Sequence, residues 1–296
     1  MSKDYSGLAL RMKTYEAVNK THLLPNMNNI IRLDGNAFHT YTKGFVRPFD
    51  NDLITAMDEA AIYLCSKIQG AKFGYVQSDE ISICFTDYDT YESTLPFEGQ
   101  VEKIVSVFAS KCTSRFNQVR SLQIIKKLKE TETDSNDVEF ITTALSVMKL
   151  AEFDARVFQL PNKEEVVNAI LWRQQDATRN SISAVAQSLF SHTELFKKNT
   201  DQMQEMIFQK SGQNWNDYDA KLKRGRFIIK NTYVNGQLQN DYGMRKQIDD
   251  LHQRIYGTTE RQFTSPTDVV RSKWESVEGP ILSQDRKFLL NLLPNE

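Results

Sequence analysis

The sequence predicts an α+β chain built on the order β-α-β-β-α-β, with long additional helices and a C-terminal appendage. Three observations carry that prediction. Short runs rich in β-branched and aromatic residues recur at Ile30–Leu33, Phe73–Val76, Ile81–Phe85 and Glu152–Leu160. Apolar residues at helical spacing fill the intervals ahead of the second and fourth runs. With 40% hydrophobic and 10% aromatic residues, the chain has enough apolar side chain to bury a sizeable core, and it lacks the signature of disorder.

Ile30-Ile31-Arg32-Leu33 stops at Asp34-Gly35, a turn signal. From Asp50, an N-cap residue type, Leu53, Met57, Ala60, Ala61 and Leu64 recur at helical spacing as far as Gly70. Phe73–Val76 and Ile81–Phe85 then read as a hairpin joined through Gln77-Ser78-Asp79-Glu80. A helix is expected from about Glu98 to Arg120, with Val101, Ile104, Val105, Phe108 and Ala109 on its apolar face. The polar segment from Lys126 to Asp137 is expected to be a loop, and Glu152–Leu160 alternates like a strand closed by Pro161. This order is the ferredoxin-like split βαβ arrangement.

Long helices are expected over about 163–190 and 200–210. Phe227–Val234 followed by Asn235-Gly236 predicts a strand entering a type I′ hairpin. The chain therefore divides into a ferredoxin-like core over residues 1–160, a helical and basic hairpin region over 161–240, and an appendage over 241–296.

Across 296 residues, 37 Lys and Arg face 38 Asp and Glu, a net charge of −1, which excludes a generic basic nucleic-acid coat. Cys65, Cys84 and Cys112 lie far apart without zinc-ligand spacing, as expected of packing residues in a reduced cytoplasm. No apolar run is long enough for a signal segment or a membrane span, so no membrane partner is expected.

Topology makes the acids interesting. In the ferredoxin-like order the first and third strands are adjacent and antiparallel, so Asp34, ending one, meets Asp79-Glu80, opening the other. Like charges brought together are costly unless a cation sits between them, and magnesium suits oxygen ligands shared with phosphates. Solvated turn chemistry is the plainer alternative, because Asp-Gly and Ser-Asp-Glu are common at turns. The neighbours Asn36, Ala37, Phe38, His39, Lys43 and Arg47 favour the first reading, since they offer backbone donors, an aromatic face and cations. The same strand order also describes an RNA-recognition module, but a third strand opening with Asp79-Glu80 would repel RNA without metals.

Arg32-Leu33-Asp34-Gly35-Asn36-Ala37-Phe38-His39, Arg47-Pro48, Gln77-Ser78-Asp79-Glu80, Phe153-Asp154-Ala155-Arg156 and Trp172-Arg173-Gln174-Gln175-Asp176 with Asn180 together resemble the tRNA-histidine guanylyltransferase family. The resemblance spans roughly residues 5 to 230. It implies a polymerase-palm fold and magnesium-dependent addition of nucleotides, chiefly GMP from GTP, to the 5′ end of tRNA in the 3′-to-5′ direction. A 5′-monophosphate would first be activated by ATP or GTP.

By the same resemblance Asp34, the Gly35 carbonyl and Asp79 hold two magnesium ions, with Glu80 as a further catalytic or supporting acid. Gly35, Asn36, Ala37, Phe38, His39, Ser78 and Asp79 hold the nucleotide, with Arg47, Lys103 and Asn180 on its phosphates. It implies a homotetramer as well. Where the eukaryotic enzymes carry His-Ile-Asn-Asn, this chain has Thr178-Arg179-Asn180-Ser181. That departure resembles the bacterial and archaeal members and favours templated repair of 5′-truncated tRNA over histidine-tRNA-specific guanosine addition. A palm-fold nucleotide cyclase is the enzymatic rival.

Charge is segregated along the chain. Lys221, Lys223, Arg224, Arg226 and Lys230 fall within ten residues without an acid, and Lys111, Arg115, Arg120, Lys126, Lys127 and Lys129 form a second basic run. Arg179, Lys221, Lys223, Arg224 and Arg226 are the expected tRNA contacts. Arg173 and Asp176 are expected to hold the long helix in place, and Trp215 and Trp274 to anchor the C-terminal part.

Overall fold

The computed structural model describes residues 7–131, 142, 144–146, 148–234, 237–238 and 270–294. Its strands are β1 (Asn28–Gly35), β2 (Ala71–Gln77), β3 (Glu80–Phe85), β4 (Phe153–Leu160), β5 (Arg226–Val234), β6 (Gln237–Leu238) and β7 (Val270–Val277). The helices are α1 (Gly7–Ala17), α2 (Phe38–Tyr41), α3 (Asn51–Lys67), α4 (Val101–Thr131), α5 (Lys163–Leu189), α6 (His192–Leu195), α7 (Thr200–Ser211), α8 (Ala220–Lys223) and α9 (Lys287–Leu290). The strands form one sheet in the order β4-β1-β3-β2-β5-β6, with β7 also paired to β5. Its first four strands have the expected ferredoxin-like order, and every pairing is antiparallel.

Alternation along the strands builds two cores. Ile31, Leu33, Ile81, Ile83 and Phe85 face α3 and α4, where they meet Met57, Leu64, Ile104, Phe108 and Phe116. Ile30, Phe73, Tyr75, Cys84 and Phe227 face the other way, onto Val166, Val167 and Ile170 of α5. A third cluster joins the far half of α5 to α7 through Ile182, Val185, Ile207 and Trp215. Cys65, Cys84 and Cys112 are buried and unbonded, and burial raises all three thiol pKa values, as suits packing residues. Among the described residues no helix is long and apolar enough to cross a membrane.

Asp50 caps α3 by accepting from the Leu53 amide at 2.9 Å. The expected hairpin closes through a two-residue turn, with Ser78 at φ 48°. Val234 pairs with Gln237, which leaves two residues for the second hairpin turn; the turn residues 235–236 lie outside the described residues.

Two expectations change. The segment expected to begin a loop at Lys126 continues α4 to Thr131, because Lys127 pairs with Asp52 of α3, Arg120 lies 4.0 Å from the same acid and Lys126 pairs with Glu130 at 3.8 Å. The rest of that expected loop, residues 132–137, lies outside the described residues. The described part of the appendage is integral to the body. Its strand β7 pairs with β5 from Phe227↔Val277 to Val234↔Val270, and Leu282, Leu289 and Leu293 are buried beneath α5 with the second core.

Candidate active site at the open end of the sheet

The acids meet at one end of the sheet. In register, Asp34 lies opposite Glu80 on one side and opposite Asp154 on the other. The Gly35 amide donates to the Asp79 carbonyl at 3.1 Å, tying the end of β1 to the hairpin turn. Asn36 donates its amide to Glu152 at 2.8 Å, and Ala37 turns into α2 through a left-handed conformation, φ 51°. Only glycine fits at position 35, since an added Cβ would stand 2.2 Å from the Phe38 ring.

The electrostatics follow from this geometry. Partial burial raises the Asp34 pKa above the ordinary carboxylate value, and the charges of Asp79, Glu80 and Asp154 raise it further against a smaller opposing effect of Arg156. Glu80 is held by an ion pair. Arg173 of α5 forks onto it, Nε to Oε1 at 2.8 Å and Nη2 to Oε2 at 2.7 Å, and reaches Asp176 at 2.8 Å. Burial alone would lower the Arg173 pKa, but Glu80 and then Asp176 outweigh it and raise it. The Glu80 carboxylate is therefore committed to α5, and Arg173 and Asp176 hold that helix as expected.

A cavity of about 410 Å³ opens beside the acids, lined in part by His39, Arg47, Ser78, Asp79, Ala184 and Gln187. A smaller one of about 150 Å³ adjoins it, sharing Pro48, Asp50, Leu53, Ser78 and Ala184 and adding Asn180 and Arg226. Residues expected from sequence at a nucleotide site, though far apart in the chain, thus come together. Asn36, Ala37, His39 and Arg47 are exposed at this end, and Asn180 is exposed with its amide 3.4 Å from Asp176.

Three sets of expected residues are corrected. The Phe38 ring is buried against Tyr41, Phe116 and Phe153, so it supports the turn from the core, although Phe38 also lines the cavity. Lys103 is exposed at the wrong end of the sheet. Its neighbour Val101 bonds Thr21, ahead of β1, whereas the acid end of β4 meets α4 at Thr113 and Asn117, about 15 Å further along the helix. Lys223 and Arg226 are buried and partnered within the protein, although Arg226 Nη2 has no hydrogen-bond partner. Lys223 donates to the Asn216 carbonyl and stacks over Trp215, and burial lowers its pKa. Arg226 pairs with Asp58 at 2.6 Å. Arg179 and Lys221 stay exposed, paired to Asp176 and Asp219, and Arg224 is half-buried over Trp215.

Asp154 is the member of the site with no role assigned from sequence. Its signal was the alternation in Phe153-Asp154-Ala155-Arg156, which puts both polar residues on the face that carries Asp34.

Among the described residues no three His, Cys, Asp or Glu side chains converge as a closed ligand set. Magnesium does not require one, because it keeps several waters and typically takes one or two carboxylates plus phosphate oxygens. An acid pair that raises the Asp34 pKa beside an open cavity fits that donor chemistry.

The model of the family described as "Thg1: tRNAHis guanylyltransferase" matches residues 9–161. A solved structure of a bacterial tRNA(His) guanylyltransferase (Thg1)-like protein in complex with ATP is 35% identical, with a TM-score of 0.72, covering 97% of this chain and 99% of that one. The GTP complex gives a TM-score of 0.69 at the same identity and coverage. Among curated proteins, the tRNA(His) guanylyltransferase of Debaryomyces hansenii is 25% identical over 85% of this chain and 87% of its own length. An uncharacterized protein of Acanthamoeba polyphaga mimivirus is 28% identical over 78% of this chain and 79% of its own.

Proposed function

The chain belongs to the Thg1 family of tRNA guanylyltransferases and is a nucleotidyltransferase; from that premise we propose that it adds nucleotides to the 5′ end of tRNA in the 3′-to-5′ direction, as template-dependent repair of 5′-truncated tRNA. The observation that carries the chemistry is the meeting of Asp34 and Asp79 beside the cavity lined by His39, Arg47 and Ser78. Asp34, the Gly35 carbonyl and Asp79 are the groups that would hold two magnesium ions, which supply charge stabilisation to an in-line displacement at phosphorus. Ser78, with Asn36 and Ala37 at the turn, orients the nucleotide, Arg47 neutralises phosphate charge and the Asn180 amide donates a hydrogen bond to the phosphates. Glu80, fixed by Arg173, holds the start of β3 and with it the Asp79 backbone.

GTP is the donor of the added residue and ATP or GTP the activator of a 5′-monophosphate end. In activation the 5′-phosphate takes a nucleotidyl group and pyrophosphate leaves; the GTP 3′-hydroxyl then attacks the activated 5′ phosphorus and the nucleoside monophosphate leaves, so both steps are displacements at phosphorus without a protein nucleophile. Thr178-Arg179-Asn180-Ser181 in place of His-Ile-Asn-Asn supports repair over histidine-tRNA selection, as does the high two-way coverage by the bacterial Thg1-like structures. A cytoplasmic homotetramer completes the proposal.

Incubating the protein with magnesium, ATP, labelled GTP and a 5′-truncated tRNA tests it. Label at the tRNA 5′ end is the expected result, and transfer to full-length tRNA-histidine alone would replace repair with the histidine-specific reaction. Cyclic GMP, or a mobility shift with no product, would overturn it.

A further inference from the structure

Trp172 stands apart from the other tryptophans. Trp215 is buried and Trp274 is partly buried against the first core, whereas Trp172, on α5, is 53% exposed. Two guanidinium groups flank its ring, Arg173 at 4.6 Å and Arg32 at 5.7 Å from the centroid. Arg173 is committed to Glu80 and Asp176. Arg32 has no carboxylate partner among the described residues, and it lies directly opposite Arg156 of β4. Arg156 is half exposed, and its one ion-pair partner among the described residues is Asp154, at 3.5 Å.

Like charges directly opposite one another on neighbouring strands are destabilising unless an anion sits near them. The rung carrying Arg32 and Arg156 lies two residues from the rung carrying Asp34 and Asp154, on the same face and about 7 Å along β1. An exposed indole beside Arg32, a guanidinium without a carboxylate partner among the described residues, is the pairing that holds single-stranded nucleic acid, with a base on the ring and phosphate on the cation.

We infer that Trp172 is a stacking platform for an unpaired base at the 5′ end of the RNA acceptor, with Arg32 and Arg156 holding the adjoining phosphate. The inference rests on the polynucleotide transfer proposed above. It concerns the acceptor rather than the nucleoside triphosphate, because the platform lies on the β1–β4 side of the acids. The cavities lined by Ser78 and Arg47 lie on the other side, towards the hairpin and α3.

Transfer kinetics on 5′-truncated tRNA test it, using Trp172→Ala, Trp172→Phe and Arg32→Ala. Trp172→Ala is expected to raise the KM for tRNA about tenfold, the scale of one base stack removed, with the KM for GTP unchanged. Trp172→Phe should recover most of that loss, and Arg32→Ala should likewise raise the KM for tRNA and not that for GTP. A 5′-phosphorylated oligoribonucleotide should quench the tryptophan fluorescence of the wild-type protein and not that of Trp172→Phe. An unchanged KM for tRNA in Trp172→Ala, or a change confined to GTP, would overturn the assignment. So would a change of oligomeric state without loss of RNA affinity, which would make the ring a subunit contact. If the wild-type protein itself transfers no label, it is the proposed reaction that fails, whereas quenching by RNA still reports on the platform.

Discussion

The acid end of the sheet and the basic stretch from Lys221 to Lys230 look equally dense in charge along the sequence, yet the fold treats them in opposite ways. In the basic stretch, Lys223 is buried on a backbone carbonyl and Arg226 on Asp58, which Ser276 also holds at 2.8 Å. At the acid end, Asp34 faces Glu80, which Arg173 pairs, and Asp154, which Arg156 approaches at 3.5 Å, yet Asp34 has no ion-pair partner of its own among the described residues and its pKa is raised. Charge that the fold neutralises holds structure together; charge left uncompensated marks where a ligand completes the balance.

The sharpest way to break this contrast is through the acids. Asp34→Ala and Asp79→Ala should each lower kcat for 5′-end transfer by about a thousandfold or more, with the far-ultraviolet circular dichroism unchanged and most tRNA binding retained. Near-normal turnover in either variant would remove the metal-holding role. The basic stretch should behave the other way. Arg226→Ala strands Asp58 beside a cavity and should cost about 3 kcal/mol, a fall in Tm of roughly 10 °C, while the variant that remains folded binds RNA as before. Should RNA affinity fall and Tm hold, Arg226 would return to the interface.

How much of this was legible in sequence depended on how local the cause was. Asp34 and Asp79 could be placed because turn residues end alternating strands, and strand order alone then joins them. Asp50 could be placed because capping is decided within three residues. Pairings across long separations could not. Arg226 meets an acid 168 residues away, and Lys127 extends α4 by pairing with Asp52 of another helix. Lys103 was assigned to the site by the family resemblance, and nothing local in the sequence shows which end of the sheet each turn of its helix reaches. Asp154 needed strand register, which alternation does not fix.

The remaining candidates in the basic stretch are Lys221 and Arg224, and their effect should be smaller. The double change to Ala should weaken tRNA binding by a few-fold. It should also reduce the slope of log K against log salt by at most about 1.8, because each phosphate that a cation neutralises releases roughly one counterion. Filter binding across a salt series measures it. An unchanged slope would make the entire stretch structural and sharpen the contrast with the acid end.

The smallest expected effect bears most directly on why the acids are there. Because the Asp34 pKa is raised in the folded protein above its ordinary value of 3.8, the folded state binds more protons than the unfolded one between those two values. Stability therefore falls as pH rises through that window, and the penalty is fully present at neutral pH. Asp34→Asn removes the charge at constant size and should raise Tm by about 1–3 °C at pH 7, in line with relief of cross-strand like charges. At a pH below 3.8 the gain should vanish. Magnesium should stabilise the wild-type protein and not the variant, because a cation between the carboxylates relieves the same repulsion. A variant that is both inactive and slightly more stable would show that the fold tolerates this acid pair for the sake of the site; a loss of stability on removing the charge would mean that Asp34 is a structural ion-pair partner.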